Sequence, residues 1–417
     1  MKAELLKRLI PMRKEDFCNV QNHAHSSLNK QAIPNRQMEA WRFTNINYLK
    51  MLTVAESGSI SGDPSKDLPL LPEVAEGTTR IILTSEIDSV TILELPESIE
   101  QLTQEEIMGN LGGILDATGC KHHWPVALNY SHINYYIALK VKKNMNGNLE
   151  IVHIPTKTGI QAVRILLIIE EGSNLCLNQV TLGQGLQLSS LVLEVFLGRE
   201  SALNHGFLAF ADNEAGFLSH ISVLQESNSH YTFTSVSRGW GVARLEPRIT
   251  QVSGNAKTVL RGLQVVEDNN QIDTHSYVSF EGPEGELDQL QKSIADDKGH
   301  SIFNGIIRVP CLAQRTKASQ LSRNLLLSSQ ARIDTKPELE IVADDVRCTH
   351  GATISQMQED EIFYLQSRGL DVKQASTLVK KGYYQDILNT LPHSSNVWNP
   401  LERIMEVDSP LLGLYEN

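Results

Sequence analysis

The chain has 417 residues, enough for two or three domains at about 100–200 residues each, or for one long repeat array. Apolar residues make up 41% of it, enough to fill a core, and 37 Lys and Arg against 49 Asp and Glu leave a net charge of −12. That acidic balance repels phosphate backbones and argues against nucleic acid, and no basic amphipathic helix points to a membrane.

The N-terminus, Met1 to Pro11, is a short amphipathic start without the apolar core or cleavage-type small residues of a signal peptide. Apolar runs such as Ile165 to Ile169, none longer than five residues, are far too short to span a bilayer. The expectation is a soluble cytoplasmic chain, or a plastid stromal one where a transit peptide has been removed. Residues 4–10 and 37–52 carry apolar positions at helix-like or mixed spacing, and residues 58–72 are rich in Gly, Pro, Ser and Asp. Residues 1–74 therefore read as an N-terminal helical region ending in a linker.

From about residue 75 the pattern changes to short apolar runs separated by polar turns. Arg80–Thr84, Tyr135–Val141, Val163–Ile169, Leu188–Leu197 and Ser276–Phe280 read as strands. Glu170 to Asn174 and Glu267 to Asn270 read as turns. No long helical pattern separates the strands between residues 150 and 280, which excludes a doubly wound α/β fold. A β-sandwich and a parallel β-helix both remain. Ser173–Gln179, Arg199–His205 and Gly254–Leu260 each place a polar corner before an inward-pointing strand, but at irregular spacing, so no fixed period emerges. The fold class is mainly β, with a strand core over residues 75–350.

Residues 351–417 read as a C-terminal helical domain. Ser355 is the expected N-cap of a helix running to Arg368, with Gly369 just beyond it. Asp371 caps a second helix ending near Gly382, Pro392 closes a third, and Asn399-Pro400 opens a fourth. Phe363, Tyr364 and Arg368 cluster on the first of these. Aromatic residues and Arg favour partner contacts. The plainer alternative packs Phe363 and Leu365 onto the end of the strand core.

Five widely spaced cysteines, with no two in a CxxC, argue against a self-contained zinc finger or ferredoxin cluster and for reduced thiols. Cys348-Thr349-His350 is the most informative triplet. In an extended segment residues i and i+2 share a face, so a thiolate and an imidazole project side by side as ligands for iron or zinc. Two ligands do not close a site, so a partner chain would supply the rest. A buried Cys beside a hydrogen-bonded His is the structural alternative. His122-His123 would face opposite ways on a strand, and His23 and His25 lie in a polar stretch; both pairs read as surface residues. GxSxG, P-loop and strand-borne GxGxxG motifs are absent, Gly183-Gln184-Gly185 reads as a turn, and Asp344-Asp345 point apart and do not suit glycoside chemistry.

Longer motifs carry a resemblance. Asn324 to Ser328, Asp334 to Ile341, Ala343 to Thr353 and Phe363 to Gly369, with Phe303-Asn304-Gly305 and Ala313-Gln314 upstream, resemble the SufB/SufD family of iron–sulfur cluster assembly scaffold proteins. The match is looser over residues 160–275, where Gly239, Arg244 and Gly262 fall at family-like places, and residues 280–301 depart from the pattern. Gly351 and the segment Glu39 to Thr44 favour the SufD branch over SufB. The resemblance implies a right-handed parallel β-helix core flanked by helical terminal domains. It implies a scaffold without enzymatic turnover, paired with a SufB paralogue and docking the ATPase SufC through its C-terminal helices, with a homodimer as the alternative assembly. No cofactor would be held stably by the isolated chain. An iron–sulfur cluster would form transiently at the SufB interface, faced by His350 with Cys348 beside it. A β-helix carbohydrate-active enzyme and a metal-free interaction solenoid are the competing functional readings.

Overall fold

A computed structural model describes residues 12–13, 28, 33–54, 71–85, 91–92 and 95–405. The expected helix over residues 4–10, most of the 58–72 linker, and His23 and His25 lie outside the described residues.

The strand zone is a two-sheet parallel solenoid. One sheet runs, in spatial order, β1 (Met12–Arg13), β5 (Ile133–Val141), β7 (Gly159–Ile169), β9 (Gln187–Leu197), β11 (Gly216–Gln225), β13 (Val242–Gln251), β15 (Gln271–Phe280), β17 (His300–Val309) and β19 (Arg332–Ile341), with β4 (Ile99–Gln101) beside β5. The other runs β20 (Arg347–Gln356), β18 (Lys317–Leu326), β16 (Glu286–Ala295), β14 (Lys257–Val266), β12 (His230–Arg238), β10 (Ala202–Ala211), β8 (Asn174–Gly183), β6 (Asn146–Ile154), β2 (Thr79–Thr84) and β3 (Thr91–Ile92). The chain alternates between the sheets, one strand to each per coil. The β-helix is thus the correct choice over the sandwich.

Asn174, Ala202, His230, Lys257, Glu286, Lys317 and Arg347 stack one above another, at steps of 28, 28, 27, 29, 31 and 30 residues. The strands stay near ten residues; the corners absorb the variation. One corner repeats a single device: a left-handed residue two positions before the next strand, as at Gly172, Glu200, Asn228, Asn255, Glu284 and Arg315. Most of these are not glycine, so the conformation costs something at each. Part of that cost is offset where the corner amides bond to the next coil, as Glu200 N–H to Ser227 O and Asn255 N–H to Pro283 O.

Strand alternation sends Leu177, Phe207, Ile221, Phe233 and Ile249 into the solenoid core. Both outer faces are covered as well. The β1–β19 sheet carries α1 (Ile46–Val54), whose Ile46, Leu49 and Leu52 pack on Leu188, Leu218 and Val242. Beside it sits an insertion of three short helices that the sequence reading did not anticipate: α2 (Gln104–Asn110), α3 (Gly113–Ala117) and α4 (Trp124–His132). Beneath this cover lie buried ion pairs: Arg164 with Glu194, and Arg244 with both Glu246 and Asp273.

The C-terminal helices differ from expectation in their boundaries. Ser355 caps nothing: the strand pattern continues through Gly351 to Gln356, and α5 (Glu359–Ser367) starts after Gln358. Asp371 does cap α6 (Val372–Leu388), through a reciprocal capping box with Gln374. That helix passes straight through Gly382, whose solvent side is open, so there is no break there and no separate third helix. Pro392 instead precedes a 3-10 turn, His393–Trp398, and Pro400 starts α7 (Pro400–Met405). Tyr384, Ile387, Leu388, Leu391, Trp398 and Ile404 pack on the outer face of the β20–β3 sheet, against Val180, Leu208, Val236 and Leu263. The Trp398 indole donates to Glu150 Oε2 at 2.6 Å, and the same buried carboxylate holds Arg80 and Asn178. Among the described C-terminal helices, α5 alone has no buried residue.

Candidate partner interface and ligand site

Register carries interior side chains coil by coil toward the last strands. Phe233, Leu260, Gln289, Gln320 and His350 form one such column, and Tyr231, Thr258, Leu287, Ala318 and Cys348 another. The first column changes character as it goes, from apolar to amide to imidazole. Gln320 Nε2 donates to Gln289 Oε1 at 2.8 Å, and Gln289 Nε2 donates to Ser276 Oγ at 2.8 Å. Nearby, the Ser301 hydroxyl donates to Gln264 Oε1 at 2.6 Å and the Thr335 hydroxyl meets Ser322 Oγ at 2.9 Å. A lane of polar side chains therefore runs through the interior of the last coils, flanked by Ile307, Val309 and Leu339. Gln320 Oε1 and Asn324 Oδ1 are buried there without a hydrogen-bond partner among the described residues.

His350 and Cys348 do share a face, as their i, i+2 spacing requires. Cys348 is half-buried against the core, and His350 is exposed at the open end. Burial pushes the Cys348 thiol up, against a smaller opposing hydrogen bond from the Ala318 backbone, so this is not an activated thiol. His350 Nδ1 lies 3.2 Å from Pro337 O on β19. A carbonyl only accepts, so Nδ1 donates to it, and Nε2 is the ring nitrogen left facing away, the one a metal could use. Among the described residues, no third thiolate, imidazole or carboxylate gathers with these two.

The final coil is also uncapped. β19 pairs only with β17, and β20 only with β18, among the described strands. Each presents a ten-residue edge of unpaired N–H and C=O groups, which proteins normally cover or pair. Charged residues of both signs sit at alternate positions of β19: Arg332, Asp334, Lys336, Glu338 and Glu340.

A second surface lies on the helix that follows β20 in the chain. On α5, Phe363 is 71% and Tyr364 57% exposed. Arg368 stacks over the Tyr364 ring at 5.2 Å and donates to its hydroxyl at 3.3 Å. Packing of Phe363 onto the solenoid is therefore excluded, whereas Leu365 is half-buried. Asp344 and Asp345 lie exposed in the bend between β19 and β20, and the Gly183–Gly185 run is the corner between β8 and β9. The polar interior lane was missed from sequence, because its members are separated by 27 to 31 residues of unequal corners and share no local pattern.

Comparison with known proteins bears on this geometry. Residues 152–383 match the family described as the SufBD core domain of the SUF system for FeS cluster assembly. That span begins in β6 and ends in α6. The chain is 28% identical over 402 residues to an iron–sulfur cluster assembly SufBD family protein of Synechocystis, covering 90% of this chain and 88% of that one. It is 27% identical to the chloroplastic protein ABCI7 of Arabidopsis thaliana, over 86% of this chain and 79% of the relative. It is also 26% identical to the iron–sulfur cluster assembly protein SufD of Escherichia coli, over 89% and 88%.

Proposed function

The chain belongs to the SufBD family of iron–sulfur cluster assembly proteins, and from that premise we propose that it is a SufD-type scaffold subunit, without turnover of its own, that pairs with a SufB paralogue and docks the ATPase SufC. The uncapped final coil carries this reading. A SufB-like partner with the same solenoid would offer equivalent strand ends, and edge-to-edge pairing would satisfy both sets of backbone groups. Cys348 and His350 would then sit at the seam, each chain supplying part of a shared ligand set for a nascent cluster that is cargo, not a resident cofactor. Exposed Phe363 and Tyr364 on α5 offer SufC an aromatic anchor. Among the described residues, no helix is long and apolar enough to cross a membrane. The cytoplasm suits this role, as does the plastid stroma, given the chloroplastic relative.

Co-expression with SufB and SufC, followed by anaerobic reconstitution and iron and sulfide analysis, tests the reading. His350→Ala removes the imidazole and keeps the strand's backbone bonds. Partner co-purification is therefore expected to be normal, with iron and sulfide lowered severalfold. Cys348→Ser is expected to have the smaller effect, since its thiol is half-buried against the core. Unchanged cluster content in His350→Ala would remove this residue from the site. A complex that never acquires iron and sulfide would favour a metal-free interaction solenoid.

A further inference from the structure

A separate cluster of ligand-type side chains lies on the outer face of the other sheet. β11 points Phe217 and Ile221 inward and His220 outward, toward the helical insertion. The turn between α3 and α4 lies over it and supplies Cys120 and His123, the latter at the N-cap position of α4. One ligand atom from each of Cys120, His123 and His220 falls within 4.8 Å of the other two. The His123 and His220 rings meet edge to face at 5.7 Å between centroids. Three strands, β13, β15 and β17, lie between β11 and β19, so the two are four strand spacings, about 19 Å, apart, and this cluster is remote from the coil end that carries Cys348 and His350.

We propose that Cys120, His123 and His220 form a binding site for a zinc-type divalent cation that ties the helical insertion to the solenoid. The donor set is the first reason: one thiolate and two imidazoles suit a borderline-soft ion such as Zn²⁺. Preorganisation is the second. His220 Nδ1 lies 3.2 Å from Glu246 Oε2, and Glu246 Oε1 accepts from Arg244 Nε at 2.6 Å. The carboxylate therefore fixes the His220 tautomer with the proton on Nδ1, leaving Nε2 as the donor. Carboxylate-held histidines are a recurrent feature of metal sites. The hydrogen-bond partner of His220 Nε2 among the described residues is the Ser222 hydroxyl, at 3.1 Å. Access is the third reason. Cys120 and His220 are buried, whereas the His123 side chain is 33% exposed and opens the cluster to solvent. A water entering on that side would complete a tetrahedral set.

Tetrahedral zinc holds its nitrogen and sulfur ligands on the order of 3.5 Å apart, so the turn must close on β11 by about 1 Å. The Cys120 thiol, which donates to Thr118 O at 3.2 Å, loses its proton to solvent as the Zn–S bond forms. The sequence signal is a Cys-x-x-His spacing, Cys120 to His123, which carries a single cysteine and so does not stand out as a CxxC. Neither Cys120 nor His123 lies within the matched family core, which starts at residue 152.

The test uses the full chain without partners, so its outcome is independent of SufB pairing. After dialysis against Zn²⁺ and then buffer, one equivalent should remain by elemental analysis. Co²⁺ in its place should give tetrahedral d–d bands and a thiolate-to-cobalt charge-transfer band. Cys120→Ser should remove the charge-transfer band and, with His220→Gln, the retained zinc. His123→Asn, at a partly exposed position that threatens folding least, should weaken retention with an unchanged circular dichroism spectrum. Zinc should raise the melting temperature of the wild type and not of the variants. No retained zinc in the wild type, or equal retention in Cys120→Ser and His220→Gln, overturns the site.

Discussion

Replacing Phe363 and Tyr364 together by Ala is expected to abolish SufC capture while leaving the melting temperature of the chain unchanged. Interface anchors of this kind are each worth about 2 kcal/mol or more, roughly a 30-fold loss of affinity apiece, though not strictly additive. Both side chains are mostly exposed and α5 buries no residue, so the fold has little to lose by their truncation. Removing everything from residue 357 onward would be a poor substitute. It would strip Tyr384, Ile387, Leu388, Leu391, Trp398 and Ile404 from the β20–β3 sheet and leave Glu150 without the Trp398 indole. Loss of binding in such a truncation would report unfolding as readily as a lost contact. Titration of SufC onto the double variant, with SufB binding as control, gives the answer; undiminished SufC affinity would move the docking site elsewhere.

Arg244→Ala is expected to give the largest loss of stability, about 3–5 kcal/mol, because it leaves two buried carboxylates without their cation. Arg244 Nε donates to Glu246, its Nη1 donates to Asp273 Oδ2 at 2.7 Å and to Ala40 O at 2.8 Å, and the guanidinium stacks on Trp41 at 4.0 Å. It therefore pins the 39–44 segment to the solenoid as well as balancing charge. The deficit should depend on pH. Burial alone would raise Asp273, but His275, Arg244 and Thr44 outweigh it and hold the carboxyl below its ordinary value. A depressed carboxylate stabilises the fold above its unfolded pKa, and that contribution disappears as pH falls through the folded one. The wild type thus loses on acidification what the variant never had from Arg244. Urea titrations at neutral and acidic pH should show the gap narrowing as pH falls; a gap that does not change with pH would mean that Arg244 acts mainly by packing.

Strand positions were readable because each is a short apolar run, and Val163–Ile169 and Leu188–Leu197 fall inside β7 and β9. The corners at Glu170–Asn174 and Glu267–Asn270 were readable from their composition. Coil length was not: corners of variable length move the repeat between 27 and 31 residues and erase a fixed period, so family motifs had to decide between sandwich and solenoid. The end of the strand zone was misplaced because Gly351 and Ser355 look like helix punctuation, although Thr349, Thr353 and Ile354 are β-branched and belong to β20. The insertion helices were overlooked despite a readable capping box, Thr103 with Glu106. His123 was read as a surface residue on the assumption of a strand; at a helix cap, that face rule does not hold, and it sits half-buried beside His220. At the candidate site, the shared face of Cys348 and His350 follows from period two alone. Their position at an uncapped end, above a lane of amides, depends on register, which no local pattern carries.

That lane has a consequence for how the molecule breathes. In a linear stack each coil is held chiefly by its neighbours, so persistence is decided locally and the last unit has only one. Around Phe233 and Ile249 the filling is apolar, and its cohesion tolerates small displacements. Around Gln289, Gln320 and Ser322 cohesion depends on directed bonds, which fail together when geometry slips. Amide protons should therefore exchange in a gradient, slowest in the middle coils and fastest in β20, with opening that starts at the terminal edge and runs inward. A chain that seats on that edge would meet a rim able to adjust before it sets, and its arrival would quench the fraying that made the adjustment easy.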